Sequence, residues 1–277
     1  MRRLVATADD LGLAPGTTDG ALDAHDRGIL TAASVAAVGA DVERAAARVR
    51  ERPGLDAGAH LVLVGERPLS PPAEVPSLLG RDGALLPGYG AFLRRYLRGA
   101  VDPLEVEREL ERQIARLREL GLRLVHLNSH QHLHALPRLL PVVLRLASAH
   151  AIPFVRLPAD PAAARSLSAR ALALRVLNRL GRRARRELSG GVMALDRTLG
   201  LLAAGRLDAR RLEALLGDVR GTCELVCHPG LGREALARRY DWGYSWEGET
   251  AALTDPALAA RLRQRSIEVL FFSRLAG

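Results

Sequence analysis

Short apolar runs and helix-patterned runs alternate along this chain of 277 residues, and that alternation limits its fold more than any other feature. The segments 3–8, 30–38, 56–63, 122–130, 152–158, 222–228 and 267–272 are short, apolar and bounded by turn residues, so they read as buried strands. Between them lie helical patterns at 14–29, at 40–52 before Pro53-Gly54, and at 137–150. The clearest has Asp102 as N-cap, Pro103 in its first turn, Leu104, Leu110, Ile114 and Leu117 at helical spacing, and Gly121 as its stop. Strands that alternate with helices pair in parallel and carry the helices outside. About seven or eight strands predict an α/β fold, an irregular (β/α) barrel, as a single domain over 1–277. An open doubly wound sheet is the alternative.

Two stretches depart from the alternation. Residues 64–90 hold Pro68, Pro71, Pro72, Pro76 and Pro87, and predict a long loop of the kind that lines or covers a site. Residues 161–190 form an arginine-rich insertion, whose 164–188 portion is expected to be a helical hairpin with its leucines on the barrel and its arginines in water. All 40 basic residues are arginine, and the formal charge is +9. Aromatic residues make up only 4% and do not interleave with the arginines, so no stacking platform for nucleic acid is expected. Cys223 and Cys227 are spaced C-x3-C, which suits two small core residues of a reducing compartment. No G-x-G-x-x-G follows a strand and no P-loop is present. The first apolar run is too short for a secretory signal and no run of 18 apolar residues occurs, which sets the expectation of a cytoplasmic protein.

The scarce ionisable residues fall at strand ends. Asp9 and Asp10 close the first strand, His60 lies late in the third, Arg156 follows the fifth and His228 ends a later one. The segment HLNSHQHLH, 126–134, holds four of the 8 histidines. In (β/α) barrels the carboxyl ends of the strands carry the chemistry. Neutral imidazole is a common metal ligand. Two histidines and a carboxylate leave coordination positions free on a divalent ion, and a second carboxylate beside them can serve as general base. That set of groups suits hydrolysis.

These residues resemble the YdjC-like carbohydrate deacetylase family. The likeness rests on Ala8-Asp9-Asp10-Leu11-Gly12, on Gly58-Ala59-His60 with Leu63, on His126 to His134, and on Cys227-His228-Pro229. Order and spacing match over 1–160 and again over 222–230. The resemblance implies an irregular (β/α) barrel, one divalent metal ion (magnesium or zinc), and removal of the N-acetyl group from an N-acetylated amino sugar. It implies Asp10, His60 and His130 as metal ligands, Asp9 as general base and His228 as the acid that protonates the leaving amine. Arg156 is expected to orient Asp9 or bind substrate, and His126, Asn128, His132 and His134 to support the ligands or face substrate. Two positions depart from the family pattern. Leu11 stands where phenylalanine is usual, and Asn128 where the central motif has aspartate. An amide at 128 accepts a hydrogen bond from a ligand histidine but carries no charge, which bears on metal affinity.

The stretches ILTAASVAAVGA and GAHLVLVGERPL resemble the branch of the family encoded with hopanoid biosynthesis. With the basic 164–188 segment, this predicts a lipid-linked amino sugar and a peripheral contact with an anionic membrane. The expected partners are that small-molecule or lipid-linked substrate and, as an open option, a second copy of the chain, with no nucleic acid. Two other function classes fit parts of the pattern. A phosphoesterase or other amidohydrolase would need further ligands, and a non-catalytic sugar-binding protein would tolerate loss of Asp9.

Overall fold

The computed structural model describes residues 1–276. Eight parallel strands form the sheet: β1 (Arg2–Leu11), β2 (Ala32–Val35), β3 (Asp56–Leu61), β4 (Leu124–Ser129), β5 (Phe154–Val155), β6 (Arg197–Leu199), β7 (Gly221–Cys227) and β8 (Glu268–Val269). Their order is β5-β4-β3-β2-β1-β7-β6, and β8 pairs with the start of β1. The two ends of that path meet at Thr198, whose hydroxyl donates to the Leu157 carbonyl at 3.0 Å. The sheet thus curls into the irregular barrel expected from the alternation.

Eleven helices surround it among the described residues: α1 (Pro15–Asp26), α2 (Val42–Arg50), α3 (Tyr89–Leu97), α4 (Pro103–Glu119), α5 (Leu140–Ala149), α6 (Ala169–Ala184), α7 (Ala209–Gly217), α8 (Arg233–Arg239), α9 (Trp246–Leu253), α10 (Leu258–Gln264) and α11 (Phe272–Leu275). α4 begins as its sequence predicts, with the Asp102 carboxylate accepting from the Leu104 amide at 2.9 Å. Its inward stripe is Val106, Leu110, Ile114 and Leu117, while Leu104 is 67% exposed. Leu104 sits in the first turn, before the helix meets the sheet, so its apolar character does not report the buried face.

The proline-rich stretch 64–90 is more ordered than a free loop. Buried Glu109 on α4 accepts the amides of Leu69 and Ser70 at 3.0 and 2.8 Å. Gln113, one turn on, accepts from the Val62 amide and donates to its carbonyl at 2.8 and 2.7 Å. These bonds satisfy backbone groups that the turns leave without partners. The arginine-rich stretch also differs from expectation. It is a single helix, α6, after a 3-10 turn at Pro161–Arg165, and no hairpin forms. Leu174 faces inward, whereas Leu172 and Val176 are 50% and 54% exposed.

Candidate active site

Three irregularities of the backbone gather the polar residues at the carboxyl ends of β1, β3 and β4. The first is a register shift between Ala8 and Leu11, with Asp10 at φ 66°. Consecutive residues of a strand normally face opposite ways. This bulge, at a cost of order 1 kcal/mol, lets Asp9 and Asp10 both serve the same cleft. The second is at Gly58, where an added Cβ would lie 2.2 Å from His126 Nε2. Only glycine leaves room there for the buried imidazole. The third is the turn after β4, where Gln131 and His132 take φ of 56° and 55°. The strand ends at Ser129, so the histidines beyond it diverge instead of sharing one face.

His60, Asp10 and His130 converge. Asp10 Oδ1 lies 3.0 Å from His60 Nε2 and 2.9 Å from His130 Nδ1, and the two ring nitrogens are 3.5 Å apart. Ligands about 2.1 Å from one ion are separated by roughly 3.0–3.4 Å, so the spacing fits a divalent cation. Asp10 Oδ2 is buried without a partner, a further donor for such an ion. Burial pushes the Asp10 carboxyl up, but His130 and His60 outweigh it and hold it well below the usual range. Burial pushes His60 down, and Asp9 and Asp10 outweigh that to raise it.

Asn128 fixes the tautomer of His60. Its Nδ2 donates to Asp9 Oδ1 at 3.1 Å and to Ser34 Oγ at 2.7 Å. An ionised carboxylate only accepts, so the amide nitrogen must face Asp9 and Oδ1 must face His60. His60 Nδ1–H then donates to that oxygen at 2.6 Å. Nε2 keeps its lone pair, aimed at Asp10 and His130. An aspartate at 128 would set a second carboxylate beside Asp9, a repulsion the amide removes.

Asp9 is held from behind. The Arg156 guanidinium donates to both of its oxygens, at 2.5 and 2.8 Å, and to both oxygens of Glu224, at 3.0 and 2.8 Å. Burial raises the Asp9 carboxyl, but Arg156, His60 and His228 outweigh it and hold it far below the usual range. The Arg156 side chain is 1% exposed and spent on the two carboxylates, so it orients Asp9 and has no face toward substrate. Asp9 Oδ1 receives Asn128 as well as Arg156, whereas Oδ2 receives Arg156 alone and keeps a lone pair.

The remaining histidines separate into two groups. His126 packs against Phe272 with ring centroids 4.5 Å apart and bonds Ser34 Oγ at 3.0 Å. His134 Nε2–H donates to the Arg156 carbonyl at 2.7 Å, and its Nδ1 accepts from Ser129 Oγ at 2.6 Å. Both stand behind the site. Burial, with Arg156 next, lowers His126 to about 3, and burial lowers His134 to about 4. His132 and His228 instead line the cleft, each with Nδ1 buried and unpartnered. Burial, then Arg156, pushes His132 well below its ordinary value. The His228 amide donates to buried Glu249 at 2.6 Å, and its ring meets Tyr244 edge-on at 5.2 Å.

The cleft has two arms that share His130, Gln131 and Trp242. The larger, about 410 Å³, holds Asp9, His60, His132 and His228 and has an apolar wall of Leu174, Leu177, Leu201 and Ala204. The smaller, about 290 Å³, is lined by Glu66, Arg239, Tyr240 and Asp241. Sequence reasoning missed Ser34, Glu224, Glu249 and the aromatic residues 240–246. The signals were there: an acid inside the apolar run TCELVCH, and both tryptophans within the alternating pattern Tyr240, Trp242, Tyr244, Trp246 of a chain poor in aromatics.

Residues 3–264 match the model of the YdjC-like protein family. The chain belongs to that family. It is 31% identical to the carbohydrate deacetylase of Geobacillus stearothermophilus over 271 residues, covering 98% of this chain and 97% of that one. Over 156 residues it is 39% identical to the carbohydrate deacetylase of Brevibacillus brevis, covering 56% of this chain and 59% of the relative. It is 35% identical to the chitooligosaccharide deacetylase of Serratia marcescens over 167 residues, covering 60% and 63% of the two. The crystal structure of an Enterococcus faecalis V583 protein, assigned provisionally to cellobiose-phosphate cleavage, superposes with a TM-score of 0.79 at 25% identity, covering 100% of this chain and 99% of that one. The fold of this YdjC-like chain is thus shared across its described residues. No described helix is long and apolar enough to cross a membrane.

Proposed function

We propose that this chain is a metal-dependent hydrolase that removes the N-acetyl group from an N-acetylated amino sugar. The observation that carries the reading is the convergence of Asp10, His60 and His130 beside an Asp9 held by Arg156, in a cleft that His228 also enters. The names of the full-length and partial relatives support it. Asp10, His60 and His130 would hold one divalent ion, magnesium or zinc. Such an ion supplies Lewis acidity toward an amide carbonyl and lowers the pKa of water.

The chain's own groups do the rest. Asp9 Oδ2 takes a proton from the attacking water through its remaining lone pair. Arg156 and Asn128 keep that carboxylate ionised and aimed. The water oxygen bonds to the acetyl carbon, the C–N bond breaks, and His228 delivers a proton to the departing amine nitrogen. Acetate and a free amino sugar result. A two-metal phosphoesterase would need a second ligand group, and among the described residues only the one at Asp10 is present.

The finer reading concerns the substrate and its setting. The apolar wall of the larger arm supports an amino sugar joined to an apolar lipid of the hopanoid kind. Leu172 and Val176 are exposed on α6, with Arg179, Arg182 and Arg183 exposed one to two turns on, which supports a peripheral contact with an anionic membrane. Acetate release from N-acetylated amino sugars, free and lipid-linked, tests the activity. Asp9→Asn is expected to lower turnover by roughly a hundredfold or more while metal is retained. Release unchanged in Asp9→Asn, or phosphate ester cleavage in place of acetate release, would overturn the reading.

A further inference from the structure

The aromatic residues Tyr240, Trp242 and Tyr244 have no part in the hydrolytic step proposed above, yet they line the cleft. Tyr240 and Trp242 stack at 4.4 Å, and Trp242 meets Tyr244 edge-on at 5.4 Å. This ladder runs from the smaller arm into the larger one, and Trp242 is the rung that belongs to both. Its indole lies 5.0 Å from the His130 ring, tilted by 38°. Trp246 anchors the ladder from inside, 2% exposed, while Trp242 is only half-buried. The half-buried indole keeps exposed surface in both arms, beside the candidate metal ligands.

The smaller arm differs in chemistry from the larger. Glu66 accepts from the Tyr240 hydroxyl at 2.8 Å and from Arg239 at 3.3 Å, so carboxylate, phenol and guanidinium form one fixed polar floor. Asp241 is exposed beside them, and Gln131 Oε1 is buried without a partner at the junction. A pocket with one flat apolar wall and a rim of fixed donors and acceptors matches a ligand with one C–H face and an edge of hydroxyls. A pyranose ring has that shape and that polarity.

We propose that Trp242 is the platform on which the sugar ring lies, and that the smaller arm, with Glu66, Arg239 and Asp241, is the subsite for its hydroxyl edge. The proposal rests on the deacetylase reading and adds the orientation of the substrate. A ring stacked on Trp242 turns its acetamide toward Asp10, His60 and His130 and leaves the anomeric substituent to the apolar arm. Selectivity among amino sugars is then set in the polar arm, and tolerance of the attached group in the apolar one.

The test is titration of the metal-free protein with N-acetylglucosamine and with N,N′-diacetylchitobiose, followed by tryptophan fluorescence and calorimetry. The wild type is expected to bind with a change in indole emission. Trp242→Phe should lose that change and keep most of the affinity. Trp242→Ala should weaken binding by about tenfold, and in the metal-loaded enzyme should raise KM by more than it lowers kcat. Asp241→Ala, an exposed change that leaves the core untouched, should weaken binding roughly threefold to tenfold even if Trp242→Ala proves unstable. Equal affinity in wild type, Trp242→Ala and Asp241→Ala, with acetate still released, would overturn the platform and spare the deacetylase reading. No binding and no hydrolysis of N-acetylated sugars by the wild type would overturn both.

Discussion

The two walls of the cleft are built on different principles. Behind the candidate ligands the wall is polar and closed: Arg156 lies between Asp9 and Glu224, Asn128 joins His60, Asp9 and Ser34, and His134 holds the Arg156 backbone. Opposite, the wall is aromatic and aliphatic, made by Trp242, Tyr244, Leu174 and Leu177, and faces open space. A buried charge network tolerates little change, because removing one partner strands the others. An apolar wall tolerates substitution, and its changes show up in what binds. On the proposed reading the back wall holds the general base Asp9, and the front wall meets the substrate.

The sharpest way to break this contrast is to delete the central cation. Arg156→Met leaves Asp9 and Glu224 buried as uncompensated carboxylates and is expected to cost about 3–5 kcal/mol in denaturant unfolding. A loss no larger than that of a surface substitution would show that the back wall is not a coupled network.

Lowering the pH probes the same wall without mutation. His126, His132 and His134 have folded values below the ordinary 6.5, so each binds its proton more readily in the unfolded chain. Their contribution is whole above pH 6.5 and is lost as pH falls toward about 4 and 3, the folded values of His134 and His126. Within that window each histidine costs about 1.4 kcal/mol per pH unit. His60, raised, has the opposite sign: its contribution is present below 6.5 and fades as pH rises through its folded value. Asp9 is lowered from 3.8, so its contribution is intact until pH falls near that value. Urea midpoints of metal-free protein at pH 7 and 4.5 should thus drop steeply, and a flat profile would contradict the burial of these rings as neutral groups.

Asn128 sharpens the comparison further. Asn128→Leu removes the acceptor for His60 Nδ1–H and is expected to weaken metal binding roughly tenfold to a hundredfold by calorimetry. Asn128→Asp should bind metal at least as tightly as wild type, yet destabilise the metal-free protein by about 1–3 kcal/mol, because two amide donors are lost next to Asp9. Equal behaviour of the two variants would mean that Asn128 only fills space.

The smallest stability effect belongs to the helix that carries part of the front wall, on its far side. Leu172→Ser with Val176→Ser, on the outer face of α6, should shift stability by no more than about 0.5 kcal/mol. It should nevertheless lower co-sedimentation with anionic vesicles if that face meets a membrane, and unchanged sedimentation would remove the membrane contact from the account.

Sequence made the back wall more legible than the front. Asp9, Asp10, His60 and the 126–134 segment stand out because rare ionisable residues punctuate short apolar runs, and in a parallel barrel those points lie on one rim. The turn at Gln131 and His132 was hidden, since neither residue type announces a left-handed backbone. β6, three residues long, offers too little periodicity to register. Glu224 escaped because a single acid in an apolar run gives no sign of its partner, and Arg156 is 68 residues away; Glu249 escaped because it follows Glu247 in a polar stretch that reads as solvated. The aromatic ladder lies between short helices where alternation does not mean strand, so its pattern carried no structural reading until Trp242 was seen beside His130.

The most direct test of the central claim is elemental analysis of wild type and His130→Ala purified side by side. One divalent ion per wild-type chain is expected, held by Asp10, His60 and His130, and lost in the variant. Equal metal in the two proteins, or none in the wild type after reconstitution with zinc and magnesium, would contradict it.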